Sequence, residues 1–153
     1  MGNTGTCTGI LIVRKIVMAA LAVLAAAGSA VAEVRIKSSP GGQIGEFLDL
    51  FEEVRATGER VVIDGPCLSA CTLVLGVVPR NRICVTSRAV LGFHAAWVPT
   101  ERGHTVAQPV ATRLMMDIYP SDVRAWILRR GGLNSHLIVL RGHELTALYP
   151  RCT

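Results

Sequence analysis

The chain has 153 residues, the length of one domain, is half hydrophobic and carries a formal charge of +5. Its arginines are scattered, and no basic stripe with interleaved aromatics is present, so a nucleic-acid partner is not expected. Much of the apolar fraction lies in the first 32 residues and says little about a core.

That first segment has the layout of a secretory signal. Arg14 and Lys15 precede an apolar run over residues 16–27, and Gly28-Ser29-Ala30-Val31-Ala32 follows. A charged n-region, an h-region and an A-x-A site predict a signal peptide over residues 1–32, cut after Ala32. The alternative is an uncleaved anchor, but the run is shorter than the roughly 20 residues of a membrane span. Residues 33–153 are then a single exported domain, periplasmic or secreted, with no stable membrane span. Cleavage removes two cations and no acid, which lowers +5 to +3. Cys7 lies ahead of the h-region and so is not the cysteine that follows a lipoprotein cleavage site.

Glu33-Val34-Arg35-Ile36-Lys37-Ser38 alternates apolar and charged residues and predicts a half-buried strand. Ser39-Pro40-Gly41-Gly42 ends it, because Pro lacks an amide and Gly tolerates positive φ. Ile44, Phe47, Leu48, Phe51 and Val54 recur at helical spacing, with acids between them. They predict an amphipathic helix over residues 44–56 that stops near Gly58. Val61-Val62-Ile63 is a second strand, parallel to the first because a helix joins them. Asp64-Gly65-Pro66 reads as a turn, and Ser69 opens an apolar helix that runs to Pro79. Residues 83–85 and 89–93 are two further strands, with His94 at the end of the second. A polar loop spans residues 99–105. Helices are expected over residues 110–118 and 123–130, the latter burying Trp126 and Ile127. The tail, residues 137–149, is apolar enough to lie on the core without a clear period.

Four cysteines follow the signal: Cys67, Cys71, Cys84 and Cys152. An even number in an exported chain points to disulfides, and four cysteines allow three complete pairings. A metal centre drawing on His94 or His104 is the competing reading. The C-x3-C spacing of Cys67 and Cys71 is not a strong zinc pattern, and no metal or cofactor is expected. His104, His136 and His143 fall in polar or weakly patterned segments and read as surface residues. Trp97 and Trp126 read as core or groove anchors.

The stretch Val61-Val62-Ile63-Asp64-Gly65-Pro66-Cys67-Leu68-Ser69-Ala70-Cys71-Thr72 draws the chain together. A strand, a turn and a helix opening at a serine would present a hydroxyl beside helix N-terminal amides. The plain reading of Ser69 is a helix cap. The order of motifs argues for more. Ser38-Ser39-Pro40-Gly41-Gly42 resembles the N-S-P-G-G turn of the Clp protease proteolytic subunit. Gly65-Pro66-Cys67-Leu68-Ser69-Ala70 is similar to that family's G-x-A-x-S-M nucleophile turn. Gly92-Phe93-His94-Ala95 resembles the strand that ends in its catalytic I-H-Q, 25 residues beyond the serine. The resemblance covers about residues 34–96, half of the exported chain.

It implies an α/β fold of the Clp/crotonase type, with repeated ββα units and a mostly parallel sheet flanked by helices. It also implies that Ser69 is the nucleophile, His94 its general base, and that amides of Ala70 and of Gly41 or Gly42 form the oxyanion hole. Such chemistry needs a base to take the hydroxyl proton and preorganised donors for the oxyanion. Two departures stand out. The family has strands and a helix before its S-P-G-G turn, whereas here the exported chain begins just ahead of it. The fold is thus expected to be truncated at the N-terminus, with a sheet edge that a second copy, in a homo-oligomer, or another chain could cover. The family's triad acid also lies on a helix after an insertion that this chain lacks. Asp122 is the nearest candidate and Asp117 the next, neither in a matching motif.

Three functions follow as expectations. The first is an exported serine peptidase-like hydrolase acting on peptides or proteins. The second is a non-catalytic relative that keeps the cleft and binds a peptide or a partner protein. The third is a metal or redox protein built on the cysteines.

Overall fold

A computed structural model describes residues 32–153. The signal segment read over residues 1–32, with Cys7, lies outside the described residues except for Ala32.

Val34 and Ile36 alternate with charged neighbours in β1 (Glu33–Ile36), and α1 (Ile44–Thr57) follows. Its apolar stripe buries Phe51 and Val54, and Gly58 ends it at φ 80, a left-handed cap that glycine adopts without strain. β2 (Arg60–Ile63) and β4 (Ile83–Val85) carry continuous apolar runs, as strands covered on both faces do. The three make a parallel sheet in the order β1-β2-β4, with Val34 beside Val61 and Val61 beside Ile83. The parallel pairing of the first two strands is as the intervening helix requires.

Beyond Ile63 the chain departs from expectation. Residues 64–66 do not simply turn. The chain bends at Asp64-Gly65 and enters another strand, β3 (Pro66–Leu68), in a second sheet. A Cβ on Gly65 would stand 1.9 Å from the Lys37 carbonyl oxygen, so the crossing of the two backbones requires glycine there. In the second sheet β3 runs parallel to β5 (Val90–Phe93), which pairs antiparallel with β8 (Ile138–Arg141). A separate hairpin, β6 (Trp97–Pro99) with β7 (Thr105–Ala107), brackets the polar loop. The fold is mixed α/β with small sheets, partly parallel, where a single mostly parallel sheet was expected.

The helix expected from Ser69 to Pro79 is also broken. A 3₁₀ turn covers Ser69–Leu73, one α turn follows as α2 (Val74–Val77), and a second 3₁₀ turn covers Arg80–Arg82. Its burial was legible, since residues 70–75 are all inside. α3 (Pro109–Ile118) starts on a proline whose missing amide costs a first-turn position nothing. α4 (Ser121–Arg129) turns Trp126 and Ile127 into the core. The tail resolves into β8 and α5 (Gly142–Leu148). Trp97 does not anchor a core: it is half exposed on the hairpin.

Two disulfides form, Cys67–Cys71 and Cys84–Cys152. The second ties the C-terminal segment to β4, where the Val85 amide donates to Pro150 and the Cys152 amide to Val85. No helix among the described residues is long and apolar enough to cross a membrane.

Candidate functional site

Three parallel segments run toward one end of the second sheet. Ser39 bridges Cys67 in parallel, and β3 runs parallel to β5 with Leu68 beside Gly92. The residues that follow each segment, Gly41-Gly42, Ser69-Ala70 and His94, therefore leave the sheet at its carboxyl end. That end is where open α/β sheets place their ligands.

Ser69 stands at φ 54, the one non-glycine residue with positive φ among the described residues. The left-handed region costs a side-chain-bearing residue about 1–3 kcal/mol and persists only where its surroundings enforce it. Ser69 thus joins a strained backbone to a position between a strand and a helical turn. Its conformation also explains why a regular helix does not start there.

The Ser-Pro-Gly-Gly turn lies directly against this residue. Gly41 has φ 87, and a Cβ on it would come within 2.6 Å of both the Ser69 Cβ and the Leu68 carbonyl oxygen, and 3.1 Å from the Ala70 nitrogen. Glycine is required there twice over, by conformation and by space. The Gly41 amide donates to Ser39 Oγ at 3.3 Å, whereas the exposed Gly42 amide has no partner among the described residues. The Ala70 amide belongs to the first turn of the 3₁₀ segment, where amides lack a carbonyl partner within the turn.

His94 is half-buried, and its Nδ1 lies 2.7 Å from the Ala95 carbonyl oxygen. A carbonyl only accepts, so Nδ1 carries a proton and Nε2 is the nitrogen left to act as acceptor. Among the described residues no hydrogen bond joins His94 to a carboxylate or to Ser69.

Asp122 has other partners. The Arg80 guanidinium donates to Oδ2 and the Val123 amide to Oδ1 at 2.9 Å. Although burial opposes it, the Arg80 hydrogen bond holds this carboxyl below its usual range. Asp117 is exposed, and its backbone carbonyl accepts from Arg124. No cluster of three or more His, Cys, Asp or Glu side chains is placed to hold a metal ion among the described residues. His104, His136 and His143 are exposed.

Two groups of polar contacts were not readable in the chain. The wholly buried Thr72 hydroxyl lies 2.6 Å from the Ser69 carbonyl oxygen and 2.6 Å from the Tyr119 hydroxyl, a partner 47 residues away. Asp64, where β2 leaves its sheet, accepts from Arg35, Thr86 and Arg88. Only a sequence signal linking distant positions could have found either. No protein-family model matches the sequence, and no curated protein matches it.

Proposed function

We propose that the chain is an exported serine hydrolase of the Clp/crotonase type that cleaves peptides or proteins with a Ser69–His94 pair. One observation carries the reading: a left-handed Ser69 pressed against Gly41, at the carboxyl end of the sheet from which His94 also leaves. In the reaction His94 Nε2 takes the Ser69 proton as Oγ attacks the scissile carbonyl. The oxyanion that forms is met by the Ala70 and Gly42 amides. His94 then gives its proton to the leaving amine, and a water activated by the same nitrogen releases the acyl group. The Ala95 carbonyl stands where a triad would have its carboxylate and fixes the tautomer. A carbonyl does so without a full negative charge, and losing the triad acid costs about four decades in rate. Turnover is therefore slow. The signal segment and the two disulfides support an oxidising, exported location.

The test is a fluorophosphonate probe on the purified exported protein. Label is expected on Ser69, absent in Ser69→Ala, and at least about 100-fold slower in His94→Ala, the lower bound for a lost general base. An unlabelled wild type, or label that survives Ser69→Ala, overturns the hydrolase reading. That no carboxylate bonds His94 among the described residues favours the second reading, a cleft that binds peptide without cleaving it. That reading predicts peptide binding with no labelling at all.

A further inference from the structure

The Ser69 conformation has to be enforced, and the residues at its own turn account for only part of the enforcement. Gly41 limits the space on one side, and the Cys67–Cys71 bridge closes a short ring around the residue. Neither holds the peptide that follows Ser69, and the carbonyl of that peptide is where Thr72 and Tyr119 act. Thr72 Oγ1 has one proton. The Ser69 carbonyl can only accept, so Thr72 donates to it, and the second 2.6 Å contact must be the Tyr119 hydroxyl donating to Thr72. The chain runs from Tyr119 O–H to Thr72 Oγ1 and on to the Ser69 carbonyl.

Both side chains are buried, at 0% and 1% exposure, so water does not compete for these bonds. Burial raises the Tyr119 phenol well above its usual range and keeps it a donor. The Tyr119 ring also meets Phe93, the residue before His94, edge-on at 5.4 Å. One side chain at the end of α3 thus touches the serine turn through its hydroxyl and the histidine strand through its ring.

We infer that Thr72 and Tyr119 are positioning residues that hold the left-handed Ser69 backbone and fix it relative to His94. The catalytic consequence rests on the hydrolase reading above; the conformational one does not. Tyr119 lies outside the stretch that resembles the Clp family, so the second half of the chain contributes to the first half's turn.

Four variants of the full exported protein test the inference: Tyr119→Phe, Thr72→Val, Thr72→Ser and, as a control, Tyr149→Phe. Tyr149 is the other fully buried tyrosine, and its hydroxyl donates instead to the Leu75 carbonyl at 3.5 Å. Two readouts are taken: the rate of fluorophosphonate labelling, and the Ser69 φ from its amide–Hα coupling by NMR. Loss of one buried hydrogen bond in Tyr119→Phe or Thr72→Val should slow labelling roughly tenfold and move Ser69 out of positive φ. Thr72→Ser keeps the hydroxyl and should keep both readouts at wild-type values. Tyr149→Phe should lower the melting temperature as Tyr119→Phe does and leave both readouts alone. The inference fails if Ser69 keeps its positive φ in Tyr119→Phe and Thr72→Val, or if Tyr149→Phe changes the readouts equally. An unlabelled wild type would remove the hydrolase reading, and the coupling alone would then decide this one.

Discussion

The two larger sheets of this molecule are built for different purposes. The sheet β1-β2-β4 is all parallel and apolar along β2 and β4, and its strand ends are tied by Asp64 and by the Cys84–Cys152 bridge. The sheet β3-β5-β8 carries at its carboxyl end the strained Ser69, the left-handed Gly41 beside it and a disulfide whose cysteines are only four residues apart. Strain is tolerable in the second sheet because the first supplies a frame that does not depend on it. Stability and local geometry are thus lodged in different strands of one small domain, and separate changes should alter them separately.

The disulfides give the largest expected separation. In the chain-entropy account, a bridge spanning 68 residues restricts the unfolded chain by about 4 kcal/mol and one spanning four residues by about 2. Cys84→Ser with Cys152→Ser should lower the urea-unfolding free energy by about 4 kcal/mol. Folded molecules of that variant should still label at Ser69 at the wild-type rate. Cys67→Ser with Cys71→Ser should cost less stability but slow labelling, because the ring around Ser69 opens. If the short bridge proves the more stabilising of the two, or the long one controls labelling, the division between the sheets is wrong.

The next effect probes the frame by pH. Asp64 is 5% exposed, and its carboxyl is held down to about 2. The Thr86 hydroxyl contributes most, then the Arg88 guanidinium, with Arg35 adding to them against the burial that would raise it. A carboxyl whose folded pKa lies below its unfolded value stabilises the fold above the unfolded value, near 4, and loses that contribution as pH falls toward 2. Thermal melts should therefore show the melting temperature falling between about pH 4 and pH 2. In Asp64→Asn the fall in that window should be smaller and the neutral-pH melting temperature lower. Equal slopes for the two proteins would show that Asp64 does not tie the frame.

How far the sequence revealed each sheet follows from the same division. The strands and helix of the frame carry their own signals: a period of 3.6 in α1, apolar runs in β2 and β4, and a terminating Gly58. β3 has three residues, a proline and a bridged cysteine, and no alternation to read, so the chain around it looked like a turn. The helix expected from Ser69 had the right composition but the wrong backbone, because tertiary contacts put its first residue in the left-handed region. The order of Gly41-Gly42, Ser69 and His94 was visible as motifs. That they leave one sheet at one end was not, because Ser39, β3 and β5 meet only through pairings distant in sequence. The Thr72–Tyr119 bond was hidden for the same reason. Cysteine number pointed to disulfides but left three pairings open, and only the fold selects Cys67–Cys71 and Cys84–Cys152.

The smallest expected effect concerns Asp122, the residue nearest to a triad acid by chain order. Both of its oxygens are engaged, one by Arg80 and one by the Val123 amide. Arg80 is itself fixed, donating to the Leu148 carbonyl at 3.2 Å and lying 4.8 Å above the Tyr149 ring. To reach His94 the carboxylate would have to leave Arg80, and nothing in the ion pair favours that. The pair is partly exposed, with 43% and 34% of its side chains accessible, so solvent screens much of its attraction. Asp122→Asn should accordingly cost about 0.5 kcal/mol in stability and change Ser69 labelling by less than about twofold. A triad acid would behave differently: its amide variant leaves the geometry intact but selects the wrong histidine tautomer, at a cost of about four decades. Here the Ala95 carbonyl already selects the tautomer, and it would go on doing so in the variant. Labelling that fell by decades in Asp122→Asn, with stability unchanged, would give the role of acid to Asp122 and remove it from the Ala95 carbonyl.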